Sequence, residues 1–486
     1  MKRPAWWSRE WWRRQIDPGY PRAPIETEHF PPGIPYIIGN EAAERFSFYG
    51  MRAILVTFMT TYLLDASLMH RQVMSPEEAK AVYHTFNAAV YFFPILGALL
   101  ADIVLGKYWT IMLLSIVYVA GHTALAWNEA RLGLFVGLTL IAIGSGGIKS
   151  CVSAHVGDQF CRKNQHWMSR IFGWFYMAIN VGAAASSLAT PWLLENVGPG
   201  LAFGIPGILM AIATLVFFMG RAKFAHIPPG GATFLREAFS REGIGALVRL
   251  TLIFVPVAMF WALFDQTGSS WVLQAEHMNR TLFHYTASDG TLAAFEIHPA
   301  QVQALNPILI LILIPLFDWV VYPAVGRFVR VTPLRKISTG MYVAAGSFVV
   351  IAIAEHLIAA NRTPSIAWQG AAYVVLTAAE VLVSVTCLEF AYTQAPRSMK
   401  SLVMGLYLLS VSLGNSFAAG VNYVIETVKA AGGHWLEGPT YWWFFVAAMT
   451  AVAAIFSAIA FRFPEKTYLQ DDDTVDSEPT TAADSD

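Results

Sequence analysis

Twelve apolar stretches, each close to the length that crosses a hydrocarbon core about 30 Å thick, constrain this chain more than any other feature. Their limits are 34 to 64, 81 to 101, 108 to 127, 132 to 154, 171 to 193, 201 to 219, 249 to 274, 304 to 325, 337 to 358, 368 to 393, 401 to 425 and 441 to 461. In lipid every backbone N–H and C=O must be bonded internally, so stretches of this length and number are read as helices. Composition agrees: 56% hydrophobic and 13% charged residues leave too little polar surface for a soluble globule. The expected class is an all-α polytopic membrane protein.

Most of the 32 Lys and Arg residues fall in alternate connections, together with both ends of the chain. By the positive-inside rule those connections and both termini are expected in the cytoplasm of a cell-membrane protein, with the other connections outside. The start of the chain lacks a short apolar core followed by a small-residue cleavage site, so the first span is expected to direct its own insertion. Residues 1–33 carry Trp6, Trp7, Trp11 and Trp12 among Arg9, Arg13 and Arg14, a mixture suited to the lipid headgroup surface. The polar segment 220–248 separates six spans from six, giving bundles at 34–219 and 249–463. Residues 464–486 are acidic and without aromatics after Tyr468, a composition that does not bury a core. Three cysteines, Cys151, Cys161 and Cys387, have no metal-ligand spacing. They are expected to pack, and neither a metal nor another cofactor is implied.

The first span is anomalous. "GNEAAERFSFYG" places Glu41, Glu44 and Arg45 inside it, and Arg52 follows two turns later. Each charge at a helix centre costs roughly 2.5–3.5 kcal/mol of insertion, against about 0.3–0.6 recovered per large apolar residue. Such a cluster must face protein or water. At about 1.5 Å per residue, the expected orientation puts Arg52, His84 and Asp265 at one depth near the outside, from three spans and both bundles. It puts Arg249 and Asp318 together near the cytoplasm, a pair that reads either as an inner gate or as a static anchor. Between the layers lie Lys149, Asn180, Asn306, Glu380 and Glu389. A polar centre between two ionic layers is the arrangement alternating access requires. Static readings stand beside these: Glu44–Arg45 as a structural ion pair, His84 as a packing histidine, Lys149 as a snorkelling side chain, and Glu389 as a brace of the inner mouth. The glycines of "IGSGGIK" do not spell a phosphate loop and are expected to let helices approach closely.

In order along the chain, "EAAERFSFYG", "YFFPILGALLADIVLGKYWTI", "GSGGIKSCVSAHVGDQF", "FYMAINVG", "FWALFDQTGS", "NPILILILIPLFD" and "SVTCLEFAYTQAPRSMKS" resemble signatures of the proton-coupled oligopeptide transporter family of the major facilitator superfamily. The resemblance runs from about residue 34 to 465. It implies twelve helices in two six-helix bundles and symport of di- and tripeptides with protons. It implies that Arg45, Arg52 and Lys149 receive a peptide carboxylate, that Asn180, Asn306 and Glu380 hold the amino end, and that Tyr49, Tyr91 and Trp261 line the pocket. Glu41, Glu44, Arg45, His84 and Asp265 would serve proton coupling, and Arg52 with Asp265 and Arg249 with Asp318 would gate. Phe48 and Cys151 depart from the family pattern, where many members have tyrosine and asparagine. The alternatives are a family relative carrying nitrate, a drug or a peptidomimetic, or an intramembrane hydrolase working through Glu41 and Glu44.

Overall fold

A computed structural model describes residues 19–463, apart from 66, 68, 69, 230–239, 287–290 and 394–399. The tryptophan-rich start, the middle of the 220–248 segment and the acidic tail therefore lie wholly or mainly outside the described residues. Among the described residues there are twelve long helices: α1 Ile34–Thr57, α2 Pro76–Leu105, α3 Lys107–Trp127, α4 Arg131–Gly157, α5 Arg170–Asn196, α6 Pro199–Lys223, α7 Leu247–Glu276, α8 Pro299–Gly326, α9 Pro333–Ala359, α10 Ala367–Ala391, α11 Val403–Ala430 and α12 Pro439–Arg462. Eleven are long and apolar enough to cross a membrane. The exception is α1, whose four charges at 41, 44, 45 and 52 put it outside that measure while its other residues pack like a span.

Local chemistry sets the helix ends and irregularities. Ser75 accepts a hydrogen bond from the Glu78 N–H and Thr332 from that of Arg335, each capping the helix that follows. Single π turns follow α1 at Phe58–Tyr62 and end α2 at Ala101–Leu105, and others interrupt α8 at Phe317–Val321 and α10 at Val381–Val385. The last begins directly after Glu380, and Asp318 lies within the third. Such turns re-aim side chains and recur at functional positions.

Among the described residues the core is two large apolar clusters, one per bundle, and a small third one of Ile310, Leu313 and Val381 between α8 and α10. Phe48, Ile54, Tyr83, Tyr118 and Phe203 belong to the first, and Phe260, Trp271, Phe348, Tyr373 and Phe445 to the second. Close approach depends on glycine as expected: a Cβ at Gly97 would fall on the backbone of Gly147, and one at Gly146 on the Val90 carbonyl. These contacts bring α4 against α2. Cys151 and Cys387 are buried, whereas Cys161 is half-buried, its thiol donating to the Thr27 carbonyl at 3.7 Å.

Connections between odd and even helices gather on one face. There Asn279 joins Pro364 through the backbone, and residues 64 and 130 form a bridge. The α7–α8 connection adds a feature not anticipated from its sequence, an antiparallel hairpin of β1 Thr281–Thr286 and β2 Leu292–Glu296 with Phe283 stacked on Phe295. On the opposite face residues 20–30 strap the first bundle. Pro21 accepts from the His226 N–H at 2.7 Å, Tyr20 stacks on His226, and Lys163 pairs with Glu26 at 2.9 Å. That pairing holds the Glu26 carboxyl below its ordinary range. The two faces are called here the hairpin face and the linker face.

Candidate functional site

Arg52, on α1, reaches across the bundles. Its Nη2 donates to Asp265 Oδ1 at 2.6 Å and its Nε to the Tyr83 hydroxyl at 2.7 Å, all three groups being buried. Asp265 occupies the 3₁₀ turn 265–268 that breaks α7, which turns its carboxylate away from the α7 axis toward α1. His84 shares their depth but touches neither. It bonds Asn415 Oδ1 at 2.8 Å and Ser269 Oγ at 2.9 Å, while Asn415 Nδ2 donates to Asp265 Oδ2 at 2.6 Å. The layer expected from depth is therefore assembled, with an unforeseen asparagine from α11 between its histidine and its aspartate. Nearer the hairpin face, Gln303 donates to the Ala53 carbonyl, Gln301 to that of Leu188, His298 pairs with Glu195, and Ser75 donates to Glu426. These bonds close that side between the bundles.

Below the Arg52–Asp265 pair lies a cavity of about 510 Å³ lined by both bundles. Tyr49, Arg52, Tyr91 and Asn180 come from the first; Trp261, Asp265, Asn306 and Glu380 from the second. Asn306 Nδ2 donates to Glu380 Oε2 at 2.6 Å and more weakly to Thr377, so the acidic wall is a fixed amide–carboxylate unit. Asn180 Nδ2 donates one hydrogen to the Tyr176 carbonyl one turn back, which leaves its second N–H and its side-chain oxygen to offer the cavity. The indole N–H of Trp261 is buried without a hydrogen-bond partner among the described residues. Sequence reasoning missed Tyr176, Ser384 and Tyr407, which also line the space. Helical spacing was the available signal, since Tyr176 is four residues before Asn180 and Ser384 four after Glu380.

Arg45 and Lys149, expected on the positive wall, are not among the cavity's lining residues. Arg45 Nε lies 2.6 Å from Glu41 Oε1 and 3.3 Å from Glu44 Oε2, and Glu44 Oε1 accepts from Ser145 at 2.9 Å. Both glutamates are buried. Among the described residues the Lys149 ammonium has no hydrogen-bond partner, and it stands 3.9 Å from the centre of the Phe48 ring. Phe48 thus supplies a π face where a tyrosine would add a hydroxyl. The other departure, Cys151, donates to the carbonyls of Gly97 and Gly147 and faces α2 rather than the cavity.

The cytoplasmic pair expected from depth is not formed. Asp318 and Glu389 are exposed, and Arg249 lies in a groove with Ile455, Ile459 and Arg462 of α12. No ion pair joins Arg249 to Asp318 among the described residues. Depth along the membrane normal matched them, but α7 turns Arg249 toward α12, away from α8. With the bundles tied together on the hairpin side and this pair parted, the arrangement is that of a cavity shut toward the hairpin face.

The model of the POT family matches residues 108–242 and 238–443. Solute carrier family 15 member 2 of Danio rerio is 38% identical over 370 residues, covering 66% of this chain and 49% of that protein; the Homo sapiens protein of the same name is 37% identical over 386 residues, 69% of this chain and 50% of that protein. The chain thus spans about half the length of the curated relatives it matches. A crystal structure of the POT family transporter PepTSo is 34% identical, covers 90% of this chain and 99% of its own, and superposes with a TM-score of 0.78.

Proposed function

The chain belongs to the POT family, and on that footing we propose that it imports di- and tripeptides with protons by alternating access, its hairpin face outside the cell membrane and both termini in the cytoplasm. The observation that carries this reading is the cavity between the bundles, with Arg52 on one wall and the Asn306–Glu380 unit on the other. A zwitterionic peptide has a carboxylate and an ammonium at a separation fixed by its backbone. Walls of opposite sign on opposite bundles select that separation without reading side chains, while Tyr49, Tyr91 and Trp261 accept varied side chains.

Arg45 and Lys149 lie beyond the lining, toward the linker side of α1 and α4. In this reading they take up the carboxylate as substrate moves inward, and the Lys149 ammonium, without a hydrogen-bond partner among the described residues, supports that role. When a carboxylate engages Arg45, Glu41 and Glu44 lose part of their partner and gain protons, so peptide and proton bind together. A single charge crossing 100 mV releases ~2.3 kcal/mol, enough for roughly fifty-fold accumulation of a neutral peptide. Arg52 with Asp265 gates the outside; Arg249 and Asp318 form no inner gate in this arrangement. Hydrolysis through Glu41 and Glu44 is disfavoured because both are committed to Arg45 and neither lines the cavity. Carriage of a small inorganic anion would leave the Glu380 wall without a task.

Purified protein in liposomes tests the proposal. An inward proton gradient should accumulate labelled dipeptide, and unlabelled di- and tripeptides should compete while free amino acids do not. Proton-dependent uptake of nitrate with no peptide competition would overturn it.

A further inference from the structure

We infer that Asn415 is a positioning residue which fixes the tautomer of His84, making Nε2 the only atom of that ring that accepts a proton. The argument begins at Asp265. An ionised carboxylate accepts hydrogen bonds and donates none, so the amide beside Asp265 Oδ2 must present its nitrogen, and Asn415 Nδ2 stands there at 2.6 Å. The same nitrogen donates to the Val411 carbonyl at 3.0 Å, one turn back on α11. With both amide hydrogens used, Asn415 has only Oδ1 to offer His84, and Nδ1 lies 2.8 Å from it. Nδ1 must therefore carry the hydrogen. In the neutral ring Nε2 is then an acceptor, served by the Ser269 hydroxyl at 2.9 Å.

A proton that reaches His84 adds at Nε2. Ser269 Oγ changes from donor to acceptor, and its hydrogen turns toward the carbonyl of Gln266, 3.5 Å away. That carbonyl already accepts the Ser269 backbone N–H at 3.0 Å and belongs to the 3₁₀ turn carrying Asp265. Protonation is in this way felt at the break in α7 as well as through charge on Asp265. The charged and titratable groups around the ring are Asp265 from α7, Arg52 from α1, and Lys80 and Tyr83 from α2. None of them bonds the ring directly, so the amide from α11 decides which nitrogen is free. Asn415 is not itself among the residues lining the cavity; its amide bonds two that are, Asp265 and Val411, and its Oδ1 sets the state of His84.

The transport part of the test rests on the symport proposed above; the spectroscopic part does not. Full-length protein with ¹⁵N-labelled histidine is placed in nanodiscs at neutral pH, and the His84 ring signals are assigned by their loss in His84→Gln. The Nδ1–H tautomer is expected in the native protein and in Ser269→Ala. In Asn415→Leu the Nε2–H form should appear, and the ratio of uptake at acid to neutral external pH should fall about tenfold while peptide counterflow persists. A native Nε2–H tautomer overturns the inference, as does an unchanged Nδ1–H signal in a folded Asn415→Leu. Should the native protein carry no peptide, the symport reading fails while the tautomer result still decides the role of Asn415.

Discussion

Replacing Asp265 with asparagine should transfer population from the form closed at the hairpin face to the form open there. Asp265 holds Arg52 at 2.6 Å in a site where the aspartate is 1% and the arginine 6% exposed. Two unit charges about 4 Å apart at an effective dielectric near 20 attract by roughly 4 kcal/mol. Asparagine keeps the volume and one acceptor for Arg52, returning about 1 kcal/mol as a neutral hydrogen bond. Its amide nitrogen would face that of Asn415, donor against donor. In the open form the two bundles part and both side chains meet water, so the pair contributes little there. The closed form therefore loses about 3 kcal/mol relative to the open one, in line with the cost of removing one partner from a buried pair, and the open-to-closed ratio rises about 150-fold. Spin labels at Trp127→Cys and Arg362→Cys, exposed positions on the hairpin face of each bundle, report the change as a longer inter-label distance by double electron–electron resonance after native cysteines are replaced. Identical distance distributions in Asp265→Asn and the parent protein, with unchanged dependence of uptake on external pH, would refute the gate.

Glu380→Gln should weaken competition by free dipeptides much more than by N-acetylated ones, because only the former bring an ammonium to the Asn306–Glu380 wall; equal loss in competition assays would remove Glu380 from that role. Glu44→Gln should abolish proton-driven accumulation yet retain counterflow of labelled against unlabelled peptide, and concentrative uptake at the native level would favour a static Arg45 ion pair instead. Gly97→Ala places a methyl on the Gly147 backbone, which has no rotamer to yield. A loss of about 2–3 kcal/mol is expected, read as an earlier thermal unfolding transition by tryptophan fluorescence, whereas Gly173→Ala, with open space at its Cβ, should not destabilise.

Hydropathy and helical rise together fix one coordinate of each charged side chain, its depth. That is enough to number the helices, to predict that Arg52, His84 and Asp265 share a layer, and to single out the charges of α1 as a candidate site. It also showed the small residues of "IGSGGIK" as packing positions. Depth says nothing of azimuth. Arg249 and Asp318 matched as well as Arg52 and Asp265 did, yet Arg249 turns to α12 while the 3₁₀ turn in α7 aims Asp265 at α1. Arg45 and Lys149 likewise have the right depth and sign, but Phe48 and the glutamates of α1 hold them outside the lining. Asn415 gave no signal at all, since a single asparagine in an apolar span acquires meaning only from the carboxylate and imidazole brought to it by two other helices. Sequence determined what each helix carries and how deep it carries it; tertiary packing decided which groups meet, because rotation of a helix about its own axis is set by the shapes of its neighbours and not by the membrane.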